Sequence, residues 1–460
     1  MLLDGANPYA GGLPEVLTLE TRDFEFAISA QNREAMGEMA EWAVFAYMAA
    51  DCNLAAYMFD NLLQLKAAAS NRDVHVSVLF DGPLLTDSFF ARLNPETPLA
   101  DDVVLRFREL KSAEASTLTM ALQIAAIYPA RRRLLLLSGH GSGWRGALQD
   151  LDLGMAYARD GKVTLPEPGA ACDRRLHDCL VEAQGVINAA IERGAQASPN
   201  PRYDVLAFDA CYMGNIEAIA HLADQAELLV VSEDMVPGEG FPYDALLDGL
   251  HRSPQQSPAQ LAADLVADMK QRYAAAGGRR RSITLAALRS DQLKPFADLF
   301  LGFVQALGEA MDDAASLAAV RYGVEKAWSF GETGTIDIKG FVQMVRDRTP
   351  DARLKTAAEA VLGAWPGLMV QFAGGGTVDT TNGLSLYAPA PDAFDMAYVA
   401  NANQLPLNFG IWSWFLGAYY LRILGAEAPN HPLIQAFNDT MHDLIARGIY
   451  PGTDDMAASP

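Results

Sequence analysis

Val205-Leu206-Ala207-Phe208-Asp209-Ala210-Cys211-Tyr212-Met213-Gly214 constrains this chain more than any other stretch. An apolar run that breaks into Asp-Ala-Cys and then Gly reads as a central strand of a parallel sheet. Such a strand delivers a reactive side chain to a site at its C-terminal end. Because side chains alternate along a strand, Asp209 and Cys211 are expected on one side, where a carboxylate and a thiol would share a site.

The same pattern recurs along the chain. Trp42 to Met48 is a short apolar run that ends at Asp51-Cys52-Asn53-Leu54, where Asp51 or Asn53 is placed to cap a helix over about Leu54 to Ala69. Val74 to Gly82 is a second strand, with His75 an ordinary member between Val74 and Val76. A helix over Ala115 to Tyr128 leads to the strand Leu134 to Ser138, which runs into Gly139-His140-Gly141-Ser142-Gly143-Trp144. After Cys211 come a helix, Ile216 to Ala223, and the strand Leu228 to Ser232, which ends in Glu233-Asp234. Strand, helix and strand at this spacing imply right-handed crossovers and a mostly parallel sheet. His140, Cys211 and acidic groups then open onto one edge of it.

Beyond His251 the chain turns more helical, at Leu261 to Tyr273 and Gln292 to Leu307, around a strand-like Ser282 to Leu288. Thr381 to Pro389 is expected as a later strand packed against the first sheet, and Phe409 to Leu424 as a packed helix. The expected organisation is a lead-in or edge strand over 1–35, a catalytic domain over 36–250, an α/β subdomain over 251–428, and a helix with a polar tail over 429–460.

Composition limits the partners. A chain of 460 residues, half of them apolar, can bury a sizeable core. Its formal charge of -22 argues against nucleic acid and suits a cationic partner, although solubility alone would also account for it. The basic runs Arg131 to Arg133 and Arg279 to Arg281 read as solvated segments. No apolar run is long enough to span a membrane, and no basic-then-apolar leader is visible in Met1 to Glu20. The expectation is a cytoplasmic protein as written, or a secreted one if a leader was removed. Four cysteines make no disulfide framework, and Cys172, His177 and Cys179 match no standard zinc spacing and want a fourth ligand.

The strand-end groups suit thiol chemistry. A free thiol titrates near about 8.5 and needs a neighbouring imidazole to act as a nucleophile at neutral pH. His140 is the candidate base, taking the thiol proton and later protonating a leaving amine. Gly141 lets its N–H approach a substrate carbonyl, and with the Cys211 N–H it forms a candidate oxyanion hole. Asp209 beside a thiol disfavours the thiolate unless a cation arrives. That points to a pocket for Arg or Lys, with Glu233 or Asp234 as further acids. The plain alternatives are a small buried Cys, and an Asp that caps a helix or bonds backbone N–H groups.

Leu137-Ser138-Gly139-His140-Gly141-Ser142-Gly143-Trp144 and Phe208-Asp209-Ala210-Cys211-Tyr212-Met213-Gly214 resemble the two signature blocks of the clostripain family of cysteine peptidases, in the caspase-like superfamily. Tyr47 to Leu54, Ser232-Glu233 with Pro237 to Phe241, and Gly383 to Tyr387 resemble further blocks of that family, so the likeness runs from about Trp42 to Arg422. Tyr212 and Phe241 depart from it, standing where Leu and Trp are usual.

The resemblance implies a caspase-like three-layer α/β sandwich with a mostly parallel central sheet and a C-terminal α/β subdomain. It also implies a Cys211–His140 dyad with no obligatory third member, Asp209 in a specificity pocket for Arg or Lys, and self-cleavage in the loop after the His. Arg159, Lys162, Arg174 and Arg175 are the candidate cleavage points. Some relatives depend on calcium, for which Asp150, Asp152 and Asp160 could supply oxygens without EF-hand spacing. Two other readings compete. Gly141 to Gly146 formally matches a dinucleotide fingerprint, which would make the chain an oxidoreductase. A caspase-like interaction domain without activity is the second.

Overall fold

The computed structural model describes residues 24–26, 35, 38–84, 86–148, 150, 202–275, 282–331, 333–375, 378, 380–403 and 405–446. Among these residues the strands are β1 (Phe24–Phe26), β2 (Ala40–Ala49), β3 (Val74–Asp81), β4 (Ser88–Arg92), β5 (Val103–Phe107), β6 (Ala130–Ser138), β7 (Tyr203–Asp209), β8 (Ala226–Val231), β9 (Ile283–Arg289), β10 (Ser329–Phe330), β11 (Thr335–Asp337), β12 (Met369–Gly375) and β13 (Ser385–Tyr387). Ten of them form one sheet in the order β1-β5-β4-β3-β2-β6-β7-β8-β9-β12. Its centre, β3-β2-β6-β7-β8, is parallel, and both flanks are antiparallel.

The apolar runs form this centre because each strand is buried on both faces. Alternation sorts their side chains into two cores. Tyr47, Leu135, Leu137, Leu206 and Phe208 face one of them, with Leu118 and Leu122 of helix Ala115–Ala125 and Phe296 and Phe300 of helix Leu293–Ala310. Val44, Ala46, Leu134, Leu136, Val205 and Ala207 face the other, with Phe59 and Leu62 of helix Ala55–Ala67 and Leu246 of helix Tyr243–Arg252. Each such Leu or Phe contributes about 1.5–3 kcal/mol when fully buried. Helices therefore cover both faces, and the expected three-layer α/β sandwich is what the chain forms.

The chain leaves β2 for β3 on one side and returns as β6 on the other, so the sheet's topological switch lies between β2 and β6. Ligand sites of open α/β sheets gather at the C-terminal ends of strands beside such a switch. Here those ends carry Asn53 after β2, His140 after β6 and Cys211 after β7.

One expectation is corrected in extent. Within Thr381 to Pro389 only Ser385–Tyr387 is strand; it pairs antiparallel with β11 in a separate three-stranded sheet, while Leu384, Leu386 and Tyr387 pack in one core with Leu135, Leu137 and Phe208 of the first sheet, as expected. Gly383 at φ +97° and Pro389, which has no N–H, leave room for no more. Beyond residue 250, β9 and β12 extend the sheet along the β8 edge. The lead-in does supply an edge strand, β1, antiparallel to β5. His75 is a buried member of β3, bonded to the Glu38 carbonyl and the Arg92 guanidinium. No helix among the described residues is long and apolar enough to cross a membrane.

Candidate active site

One cleft at the C-terminal edge of the sheet is lined by His140, Cys211 and Asp209 together with Ser138, Gly139, Leu54, Met58, Asn61, Val236, Pro237, Gly238 and Gly240. β6 and β7 are in register from Leu134–Val205 to Ser138–Asp209, so the residues just beyond them emerge side by side. Gly141 is where the two loops meet. A Cβ there would overlap the Cys211 carbonyl oxygen and lie 3.1 Å from the Cys211 nitrogen, so only glycine lets the backbones approach this closely. The turn after His140 closes through Ser142 N–H to Gly146 O and Leu148 N–H to His140 O, both 2.8 Å. That bridge is made without the Gly141 N–H.

Cys211 is half-buried at the mouth of this edge, and its Sγ accepts from the Val236 N–H at 3.3 Å. The next residue, Tyr212, takes φ +61°, a left-handed conformation that costs a residue with a side chain about 1–2 kcal/mol. The strain is held by main-chain bonds on both sides: Tyr212 N–H to Asp234 O (3.1 Å), Gly214 N–H to Ser232 O (2.6 Å) and Ser385 N–H to Gly214 O (2.7 Å). The effect is a sharp bend that presents the thiol.

His140 is also half-buried, and its Nε2 lies 2.7 Å from Asn53 Oδ1. Burial pushes the imidazole below its usual pKa and favours the neutral, basic form at pH 7.

Asp209, the last residue of β7, lines the same cleft as Cys211. Its Oδ2 accepts from the Tyr243 hydroxyl (2.6 Å) and the Phe241 N–H (3.1 Å). Burial raises its carboxyl to about 6, an effect that these two donors moderate. Gly240, at φ +67°, leaves space beside it, since a Cβ there would press on Asp209 Oδ2 and Asn61 Nδ2.

The other candidates separate. Glu233 is fully buried, its Oε1 accepts from the Asn382 N–H (3.1 Å), and it faces Asp337 rather than the cleft. The Asp234 carbonyl accepts from the Tyr212 N–H in the Cys211 bend and its Oδ1 accepts from the Met235 N–H (2.8 Å), and neither acid lines the cleft with Asp209. Asp150 is buried, and its Oδ2 shares the Ser112 N–H with Asp81. Asp152, Asp160, Arg159, Lys162, Arg174, Arg175, Cys172, His177 and Cys179 lie outside the described residues. Among the described residues no group of three or more His, Cys, Asp or Glu side chains converges as a metal would need. The Gly141 to Gly146 stretch folds into a tight turn with a 3₁₀ segment at Gly143–Arg145 and opens no helix, so the dinucleotide reading fails.

Sequence reasoning missed Asn53 as the partner of His140, Tyr243 as the partner of Asp209, and the Val236 N–H on Sγ. Only Asn53 carried a signal, since it sits at a strand end beside the other two and was read as a helix cap. The helix Ala55–Ala67 in fact has Leu54 at its N-cap, with no side-chain bond.

A thiol and an imidazole at adjacent parallel strand ends, in a three-layer α/β frame, make an arrangement suited to thiol chemistry. The clostripain family model matches residues 46–352, and the chain belongs to that family. Among curated proteins there is no match. A secreted C11 cysteine protease from Bacteroides thetaiotaomicron, solved in complex with an irreversible peptide inhibitor, is similar at TM-score 0.53 and 17% identity, covering 77% of this chain and 95% of that one. An inactive zymogen C11 protease from Parabacteroides distasonis is similar at TM-score 0.50 and 17% identity, covering 76% and 92%. At these identities the likeness is one of fold.

Proposed function

We propose that this cysteine peptidase is an endopeptidase that cleaves after Arg or Lys through a His140–Cys211 dyad. The observation that carries the reading is the contact of the Gly141 and Cys211 backbones at the mouth of a cleft whose floor includes the Asp209 carboxylate. In this reading His140 takes the thiol proton and the sulfur attacks the scissile carbonyl carbon. The oxyanion is received by the N–H groups of Gly141 and Cys211. His140 then returns the proton to the leaving amine as the C–N bond breaks, and deprotonates the water that releases the acid product and regenerates the thiol. Asp209 receives the cationic end of the substrate side chain, whose stem lies along Leu54 and Met58.

Self-cleavage in the loop after His140, between Arg145 and Arg175, follows from the same basic preference, with Arg159, Lys162, Arg174 and Arg175 as the points. The zymogen form of a relative supports this part of the reading. Calcium, implied by resemblance alone, enters no step. The test incubates wild type and Cys211→Ala with fluorogenic peptides bearing Arg, Lys, Asp or Leu at the cleaved position, with calcium or chelator, and follows the chain on a denaturing gel. Cys211-dependent cleavage after Arg or Lys is expected. Equal turnover of all four peptides would remove the specificity, and turnover by Cys211→Ala would remove the dyad.

A further inference from the structure

We infer that Asn53 is a positioning residue for His140, whose amide oxygen holds the imidazole in the tautomer protonated on Nε2 and leaves Nδ1 as the basic nitrogen. The inference rests on the dyad reading above. β2 and β6 are neighbours in register from Ala40–Ala130 to Met48–Ser138, so the loops that follow them face each other across the topological switch. Asn53 lies in the first loop and His140 in the second, 2.7 Å apart between Oδ1 and Nε2. With Oδ1 toward the ring, Nε2 carries the proton, because an amide oxygen only accepts; the reversed amide would present Nδ2 to a bare Nε2, which the ring-nitrogen experiment below distinguishes.

Asn53 is exposed, yet the loop on either side of it is tied down. Cys52 N–H bonds Ala50 O (2.7 Å), Ala55 N–H bonds Cys52 O (3.2 Å), and Asp51 beside it is fully buried. The loop thus holds a neutral acceptor at a fixed place above the sheet edge.

Neutrality is what distinguishes this partner. A carboxylate at the same point would raise the imidazole pKa, whereas burial alone sets the direction here, downward. Among the described residues, the titratable groups that share the cleft with His140 are the Cys211 thiol and the Asp209 carboxyl, and the latter is engaged by Tyr243 and Phe241. An oriented neutral imidazole can take the thiol proton at pH 7, and its bond to Asn53 strengthens once the ring is charged. This adds a third member to the expected dyad, acting through His140 and touching no substrate.

The test compares the full chain with Asn53→Ala and Asn53→Asp, measuring kcat and KM on the basic peptide from pH 5 to 9. Asn53→Ala is expected to lower kcat by about ten- to a hundredfold, the usual cost of losing an orienting partner, with KM nearly unchanged. Asn53→Asp is expected to keep the ring oriented and to raise the pKa of the acidic limb by about one unit or more. A merely structural role would lower the melting temperature without moving that limb.

A second measurement needs no turnover: nuclear magnetic resonance of the His140 ring nitrogens in the Cys211→Ala background, with and without Asn53→Asp. A proton on Nε2 and a raised pKa in the Asp variant support the inference. A proton on Nδ1, or an unmoved pKa in both experiments, overturns it. Absence of Cys211-dependent turnover in the wild type would sink the dyad reading separately, and the ring titration would still decide the role of Asn53.

Discussion

The two loops that meet in the cleft are held by different means. The Cys211 bend is clamped by main-chain bonds, to Ser232 and Asp234 on one side and Ser385 on the other. The His140 turn is joined to β7 by one main-chain bond, Gly139 N–H to Asp209 O (3.2 Å), closes on itself, and is otherwise attached outward by side chains among the described residues. Trp144 packs edge-on against Tyr387 and Tyr398, both at 5.2 Å, Arg145 pairs with Asp395 at 3.3 Å, and Asn53 takes the ring itself. Main-chain bonds survive almost any substitution, while side-chain attachments can be removed singly. The nucleophile is therefore placed by the fold, and the base by residues that can be changed one at a time.

The largest effect is expected where the two loops touch. Gly141→Ala must push His140 away from Cys211, and an error of about 1 Å in such a pair costs on the order of a hundredfold in kcat. Wild-type kcat in this variant, measured on the basic peptide, would break the comparison outright. Asp209→Asn comes next. Losing a charged partner worth about 1.5–3 kcal/mol should raise KM for Arg and Lys peptides roughly ten- to a hundredfold, with a Leu peptide as control.

Asp209 also predicts a pH limb. Its carboxyl is raised to about 6, so the charged form that would hold a basic side chain is present above that value and lost as pH falls through it. kcat/KM for basic peptides should drop accordingly. Tyr243→Phe removes a donor that holds this pKa down and should move the limb to higher pH, read from the same profile. The smallest effect is expected for Arg145→Ala. A partly exposed ion pair with a cation–π contact to Trp144 at 4.5 Å is worth about 1 kcal/mol, to be read from urea unfolding with turnover nearly kept.

What was legible in the sequence follows the same division. The parallel strands could be read because burial on both faces writes most of each as an apolar run, interrupted in β3 only by His75 and Ser77 before it ends at Asp81. That was enough to bring His140, Cys211 and Asp209 to one edge. β4, β5 and β12 gave little signal, since short flanking strands such as Ser88–Arg92 carry polar residues at their ends. Side-chain partnerships were illegible for another reason. Asn53 and His140 are 87 residues apart, and Glu217, which binds the Tyr387 N–H and the Tyr398 hydroxyl, reaches across 170 and 181 residues. Local pattern holds no record of such pairs. Glu233 illustrates the converse, because a strand-end acid looks the same in sequence whether it faces a cleft or, as here, a second buried carboxylate.

The ladder between β6 and β7 has a consequence for the chain as an object with two ends. The residues between 150 and 202 join these adjacent strands, so a single cut there would leave one piece carrying β1 to β6 and another carrying β7 to β13. The seam between the pieces would run through the middle of the sheet, from Leu134–Val205 to Ser138–Asp209, with both apolar cores closed over it. Two such fragments would co-migrate as one molecule in native solution and part only in denaturant. His140 would belong to one fragment and Cys211 to the other.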